Sequence, residues 1–226
     1  MAMLAYCVTE AAGRLNVPGS CFASRQVSVI EHGGLQCLVA ALASADTGAG
    51  LAAREEALAF HAVLQDVLRQ RALIPFRFPT VFGDEDEVRD HLKKNGKKYR
   101  DGLMVVSNAV QMEVQISFLN SAADSKVPHD RDEKPSGTAY LQSRLVAQKR
   151  LEEQAIAIHE AVAPLIRDWR QRNSAQSVRT FALVDRDILS EFEQAITALK
   201  VPEKFKMRAS GPWPATEFLE SKAPKV

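Results

Sequence analysis

The chain has 226 residues, 46% of them hydrophobic, and its 29 Lys and Arg against 28 Asp and Glu give a formal charge of +1 at pH 7. That length allows one large domain or two small ones, and the balanced charge excludes a general electrostatic footprint for nucleic acid or an anionic membrane. No apolar run approaches the ~18 residues of a membrane span, and the apolar start, Met1 to Val8, lacks the basic lead of a signal sequence. Three cysteines, Cys7, Cys21 and Cys37, with no CxxC spacing, fit a reducing compartment. A soluble cytoplasmic protein is expected.

Met3 to Val8 suits a buried strand, and Ala11 to Ser24 reads as a loop around Pro18-Gly19. Gln26 to Glu31 and Leu35 to Leu42 flank Gly33-Gly34, which reads as a hairpin and not as a phosphate loop, because no GxGxxG or GxxxxGK[ST] is present. Ser44 to Gly50 is a connection. From Leu51 the period changes: Phe60, Val63, Leu64, Val67 and Leu68 make one apolar helix stripe. Ile74 to Phe82 carries Pro75 and Pro79, neither of which donates to a ladder, so a strand here must be an edge or an interrupted one. Acids at Asp84 to Glu87 and a basic run from Lys93 to Arg100 complement the macrodipole of a second helix. Gly96 and Gly102 each cost about 1 kcal/mol relative to Ala in a helix, so two readings stand: a break near Asn95-Gly96, or a loosely continuous face through Val88, Leu92, Tyr99, Leu103 and Val106. Val110 to Phe118 alternates apolar and polar residues without a fault, as a strand with one packed and one wet face does.

The order strand, strand, strand, helix, strand, helix, strand predicts an α+β domain with a ferredoxin-like sheet, helices on one face, and a strand added near the start. Residues 1–119 are assigned to it, and the polar, charged stretch 120–136 is read as a linker. Residues 137–213 form a second α+β domain related to the same fold. It opens on a long helix, in which Leu141, Leu145, Leu151, Ala155, Ile158, Val162, Leu165 and Trp169 recur at close to 3.5 residues and Pro164 imposes a kink or division. Val178 to Val184 is a strand, Asp185 a plausible N-cap, and Ile188, Phe192, Ile196 and Leu199 another helix stripe. Phe205 to Ala209 is a last short strand closed by Gly211-Pro212-Trp213-Pro214, and 214–226 reads as a tail.

Five stretches, in order, resemble the gas vesicle GvpF/GvpL family. Phe60-His61-Ala62-Val63-Leu64 is similar to its His-x-x-Val-Leu helix, the match being approximate because His61 falls three residues before Leu64. Ile74 to Phe82 resembles its apolar-Pro-x-Arg-Phe-Gly-Thr-x-Phe run, with Pro79 where the family usually has Gly. Gly137-Thr138-Ala139-Tyr140-Leu141, Leu183-Val184-Asp185-Arg186 and Gly211-Pro212-Trp213-Pro214 complete the set. The resemblance covers essentially the whole chain. It implies an accessory protein of gas vesicles, the gas-filled shells that make some prokaryotic cells buoyant. It also implies two domains, a minor place in the particle, and contact with the small hydrophobic shell protein GvpA and other accessory proteins.

No catalytic constellation stands out. The five histidines are scattered, the serines show no nucleophile elbow, and Cys7 and Cys37 lie in predicted strands as small hydrophobes. No metal, no cofactor and no enzymatic activity are expected, and His61 reads as a partly buried packing residue. The candidate partner-binding residues are Phe76, Arg77, Phe78 and Trp213. Arg77 reads first as half of a structural ion pair, with a partner's carboxylate or the neighbouring Phe faces as the other readings. For Trp213 two readings stand: a wedge closing the second domain's core, or a contact residue on a loop stiffened by two prolines. The Lys93–Arg100 cluster reads as a solvated helix end, with phosphate or RNA as the lesser reading. Against the assembly reading stands a ferredoxin-like RNA-binding or small-molecule enzyme domain, since that fold hosts many activities. RNA-binding versions display aromatics on a strand, whereas the polar face of Val110 to Phe118 is Gln111, Glu113, Gln115 and Ser117.

Overall fold

A computed structural model describes residues 1–13, 15–16, 26–42, 54–119, 137–174 and 176–219. The expected linker 120–136, the connection 44–50, most of the loop 11–24 and residues 220–226 of the expected tail lie outside the described residues. The chain divides into two compact units. Met1–Val110 and the segment beginning at Trp213 make the first, and Gln111–Pro212 makes the second.

In the first unit β1 spans Met3–Glu10, β2 Val27–His32 and β3 Leu35–Ala41. Gly33 and Gly34 join β2 to β3 with φ of 57° and 79°. Two successive positive φ values match the right-handed twist of a two-residue hairpin, and only glycine adopts them at no steric cost. Helix α1 covers Arg54–Leu68, β4 Ile74–Phe82 and α2 Glu85–Val105. The strand order is β2-β3-β1-β4, with β1 antiparallel to both β3 and β4. Strands β3 and β4 therefore run parallel on either side of β1, joined through α1: the expected split βαβ.

Both faces of the central strands are buried. Met3, Ala5 and Val8 cluster with Cys37, Val39 and Phe82 and with Val88, Leu92 and Leu103 of α2. On the opposite face Leu4, Cys7, Leu38 and Ala40 are fully buried as well, and Phe60 of α1 stacks on Tyr6 with centroids 5.1 Å apart. Burial holds the Cys7 thiol well above its ordinary pKa and pushes Cys37 up to about 12, which makes them packing residues rather than nucleophiles.

Helix α2 starts as its acids predict. Asp84 accepts from the Glu87 N–H at 2.9 Å, and the Glu87 carboxylate accepts from the Gly83 N–H. Of the two readings at Gly96, the continuous helix face holds and the break does not occur. Gly96 is buried inside a continuous helix, and a Cβ there would come within 3.3 Å of the Arg100 guanidinium, which itself donates to the Gly33 carbonyl at 3.1 Å. A Cβ on Gly102 would stand 3.0 Å from Ile74 Cδ1 and 3.2 Å from Leu219 Cδ2. The helix accepts its two glycines because other groups need the space.

The second unit holds most of β5 (Ala109–Phe118), α3 (Gly137–Val162), β6 (Asp168–Asn173), β7 (Ser177–Asp185), α4 (Leu189–Ala198) and all but the last residue of β8 (Phe205–Trp213). Its sheet runs β6-β7-β5-β8, the same arrangement of hairpin, first strand and last strand as in the first unit. Four expectations are corrected. Strand β5, assigned above to the first domain, belongs to this sheet, where the Thr180 hydroxyl donates to the Val114 carbonyl at 2.9 Å and Arg179 clamps Glu113 at 2.7 and 3.0 Å. Trp169 is not on the long helix: α3 ends at Val162, Pro164 lies in a single 3-10 turn, and Trp169 falls on β6. Leu141 and Leu145 are 60% and 66% exposed, so only the later part of the α3 stripe, Leu151, Ala155, Ile158 and Val162, is core. Asp185 gives no side-chain cap; its carboxylate pairs with Arg167.

Helices α3 and α4 close the second core through Leu151, Ile158, Phe192 and Ile196 against Met112, Val114, Val178 and Phe205. At one rim of that core Gly211 has φ of +139°, and a Cβ there would lie 2.5 Å from Met112 Sδ and 3.0 Å from the Gln111 carbonyl. Gly211→Ala is expected to cost about 3 kcal/mol, from backbone strain and overpacking together. Denaturant unfolding of the full chain measures it, and a loss below about 0.5 kcal/mol would contradict this packing.

Candidate functional site

Three of the four candidate residues, Phe76, Arg77 and Phe78, lie on β4, the end strand of its sheet, as the two prolines required, while Trp213 ends β8. Its register with β1 runs Cys7↔Pro75 and then Ala5↔Thr80. Tyr6 alone separates the two pairs on β1, while Phe76, Arg77, Phe78 and Pro79 separate them on β4. Phe76, Arg77 and Phe78 are thus among the residues that leave the β1 ladder, a distortion that re-aims side chains.

Phe76 and Phe78 go to different aromatic groups. Phe76 meets Phe82 at 5.8 Å edge-on, His91 at 5.7 Å and Tyr99 at 6.4 Å, and the Tyr99 hydroxyl hydrogen-bonds with Nε2 of His91 at 2.7 Å. Phe78 packs on Phe60 of α1 at 5.0 Å. Between them Arg77 is exposed, and among the described residues its guanidinium has no acid partner, so the expected structural ion pair is not found there. Two phenylalanines held by ring contacts present one outward guanidinium.

Trp213 is half-buried in the first unit, its ring 5.3 Å from that of His61. The reading of Trp213 as a wedge in the second domain's core is corrected: the described core of that unit does not include it. His61 is the half-buried packing residue expected, with Gln65 Nε2 3.4 Å from its own Nε2. The chain beyond Trp213, read as tail, continues into a 3-10 turn, Thr216–Phe218, with Ala215 and Phe218 buried.

Sequence reasoning missed a cavity of about 310 Å³ lined by Ile74, Pro75 and Phe76 of β4, Lys98, Tyr99 and Gly102 of α2, and Thr216 and Leu219. The spacing of Tyr99 and Gly102 along α2 was the available signal, hidden by the reading of Gly96 and Gly102 as helix breakers. The basic cluster is only partly balanced within the helix. Lys97 pairs with Asp101 and Arg89 with Glu85 and Asp86, whereas Lys94 and Lys98 have no acid partner among the described residues. Burial, and next the charge of Lys94, lower the His91 pKa from 6.5, against an opposing pull from Glu87. Burial, followed by the nearby Cys37, raises the Tyr99 phenol to about 12, so it stays protonated and able to donate.

A histidine whose pKa is depressed by folding stabilises the fold fully above its unfolded pKa, and that contribution is lost as pH falls through the folded value. Stability should therefore drop from pH 7 towards pH 5, and His91→Gln should flatten that part of the curve. Thermal melts across this range check it; identical slopes in the two proteins would contradict the assignment.

The GvpL/GvpF family model, described as "Gas vesicle synthesis protein GvpL/GvpF", matches residues 2–220. The fold is similar to the crystal structure of the gas vesicle protein GvpF from Anabaena sp. PCC7120, with a TM-score of 0.75 at 16% identity over 97% of this chain and 96% of that one. It is equally similar to GvpF from Microcystis aeruginosa, with a TM-score of 0.76 at 14% identity over 97% and 99%. No curated protein sequence matches the chain.

Proposed function

The chain belongs to the GvpL/GvpF family of gas vesicle synthesis proteins, and from that premise we propose that it is an assembly factor that binds the shell protein GvpA through the β4 face of its first unit. Its role in gas vesicle formation follows from the family; the partner and the face are the proposal. An assembly factor for a hydrophobic shell subunit must hold apolar surface before polymerisation, which calls for apolar contacts with an oriented polar anchor. The observation that carries the reading is Arg77, exposed and without an acid partner among the described residues, between Phe76 and Phe78, which ring contacts hold in place. A guanidinium offers a planar, bidentate fork for a partner's carboxylate, and fixed neighbours lower the ordering cost of binding. The vesicle-associated, cytoplasmic location expected from the resemblance is part of the same proposal.

Capture of the full chain by purified GvpA tests it. Arg77→Glu should weaken capture about tenfold, about 1.4 kcal/mol, with the melting temperature unchanged because Arg77 is exposed. Undiminished capture by the variant would move the contact off β4. No capture by the natural chain would remove GvpA as the partner.

A further inference from the structure

We propose that the cavity between β4 and α2 receives one apolar side chain from an acidic segment of a partner protein, whose carboxylates meet Lys98 and Lys94. This rests on the partner-binding reading of β4 and specifies the chemistry of what binds there.

The walls set the first half of the chemistry. Ile74, Pro75, Phe76 and Leu219 are apolar, and a space of about 310 Å³ has room for one large side chain together with part of its backbone. Gly102 lies in the wall, where an added Cβ would stand 3.0 Å from Ile74 Cδ1 and 3.2 Å from Leu219 Cδ2 and would have to push these neighbours aside. The Phe76 wall is fixed by its rings and by the bond between His91 and Tyr99, which makes the cavity pre-formed rather than opened by the ligand.

The rim sets the second half. Lys98 lines the cavity, and Lys94, four residues earlier, lies on the same helix face one turn away. Neither has an acid partner among the described residues, while the neighbouring Lys97 is neutralised by Asp101. Two uncompensated ammonium groups beside an apolar cavity complement an apolar residue flanked by acids and repel the same residue flanked by bases. The mode of docking follows from the prolines. Pro75 and Pro79 remove donors from β4, which disfavours strand addition along it and leaves side-chain insertion.

The test uses the full chain, labelled with nitrogen-15, and two capped pentapeptides of one leucine flanked on each side by two glutamates or by two lysines. At millimolar concentration the glutamate peptide should shift the amides of Tyr99, Gly102 and Thr216, and the lysine peptide should do so at least fivefold more weakly. Lys98→Glu should reverse the preference, and Thr216→Trp, which fills the cavity from an exposed position, should abolish both responses. Shifts absent at these amides, or equal for the two peptides, would overturn the proposal. Capture by GvpA is scored separately: its failure alone counts against the shell-protein reading, whereas the peptide result decides the chemistry of the cavity.

Discussion

A strand buried on both faces must satisfy its backbone at both edges, because an unpaired N–H or carbonyl away from water costs as much as a lost hydrogen bond. Strand β1 is in that position: Leu4, Ala5, Cys7 and Val8 have no exposed surface. It is paired by β3 on one side and β4 on the other, and two antiparallel neighbours necessarily run parallel to each other. Strands β3 and β4 then need a crossover, which α1 supplies, and the apolar stripe of α1 is buried. With β2 and β3 already joined by their glycine hairpin, β4 can only end the sheet. That is where prolines 75 and 79 are tolerated, and where the ladder can let go of Phe76 to Pro79.

The local chemistry follows from that release. Phe76 turns to the α2 group of Phe82, His91 and Tyr99, and Phe78 turns to Phe60, so Arg77 between them is left outward. Helix α2 contributes its cations to the same neighbourhood. Its acids at the start are consumed by the cap and by Arg89, so charges that balance over the helix as a whole do not balance turn by turn. Among the described residues Lys93, Lys94 and Lys98 have no acid partner; Lys98 lines the apolar cavity, and Lys94 also lowers the His91 pKa. Folding and charge meet on one helix face.

Much of this was legible in the sequence because it is written in local rules. Prolines placed β4 at an edge, paired glycines placed the β2–β3 turn, and strict alternation identified β5. What escaped depends on groups distant in the chain. The alternation of β5 says that it is a strand, not which sheet accepts it, and its partners Thr180 and Arg179 lie 66 residues away. Strand β6, Asp168–Asn173, reads DWRQRN and has little apolar side chain to betray it. It is the end strand of the second sheet, where no second neighbour demands alternation. The glycines of α2 obey helix propensity in isolation, but contact with Arg100, Ile74 and Leu219 decides their use. Trp213 was read with the strand that leads to it, yet its ring meets His61, 152 positions earlier (213 minus 61). The cavity belongs to the same class, since β4, α2 and the segment after Trp213 each supply part of its wall.

In the proposed binding mode the β4–α2 surface is where this protein meets its partner. Amide hydrogen exchange of the full chain, alone and with saturating GvpA, tests it most directly. The account predicts added protection confined to residues 74–82 and 94–102 and the segment around Thr216, with the second unit's core strands unchanged. Protection that appears instead on the exposed start of α3, around Leu141 and Leu145, with β4 unaltered, would contradict it.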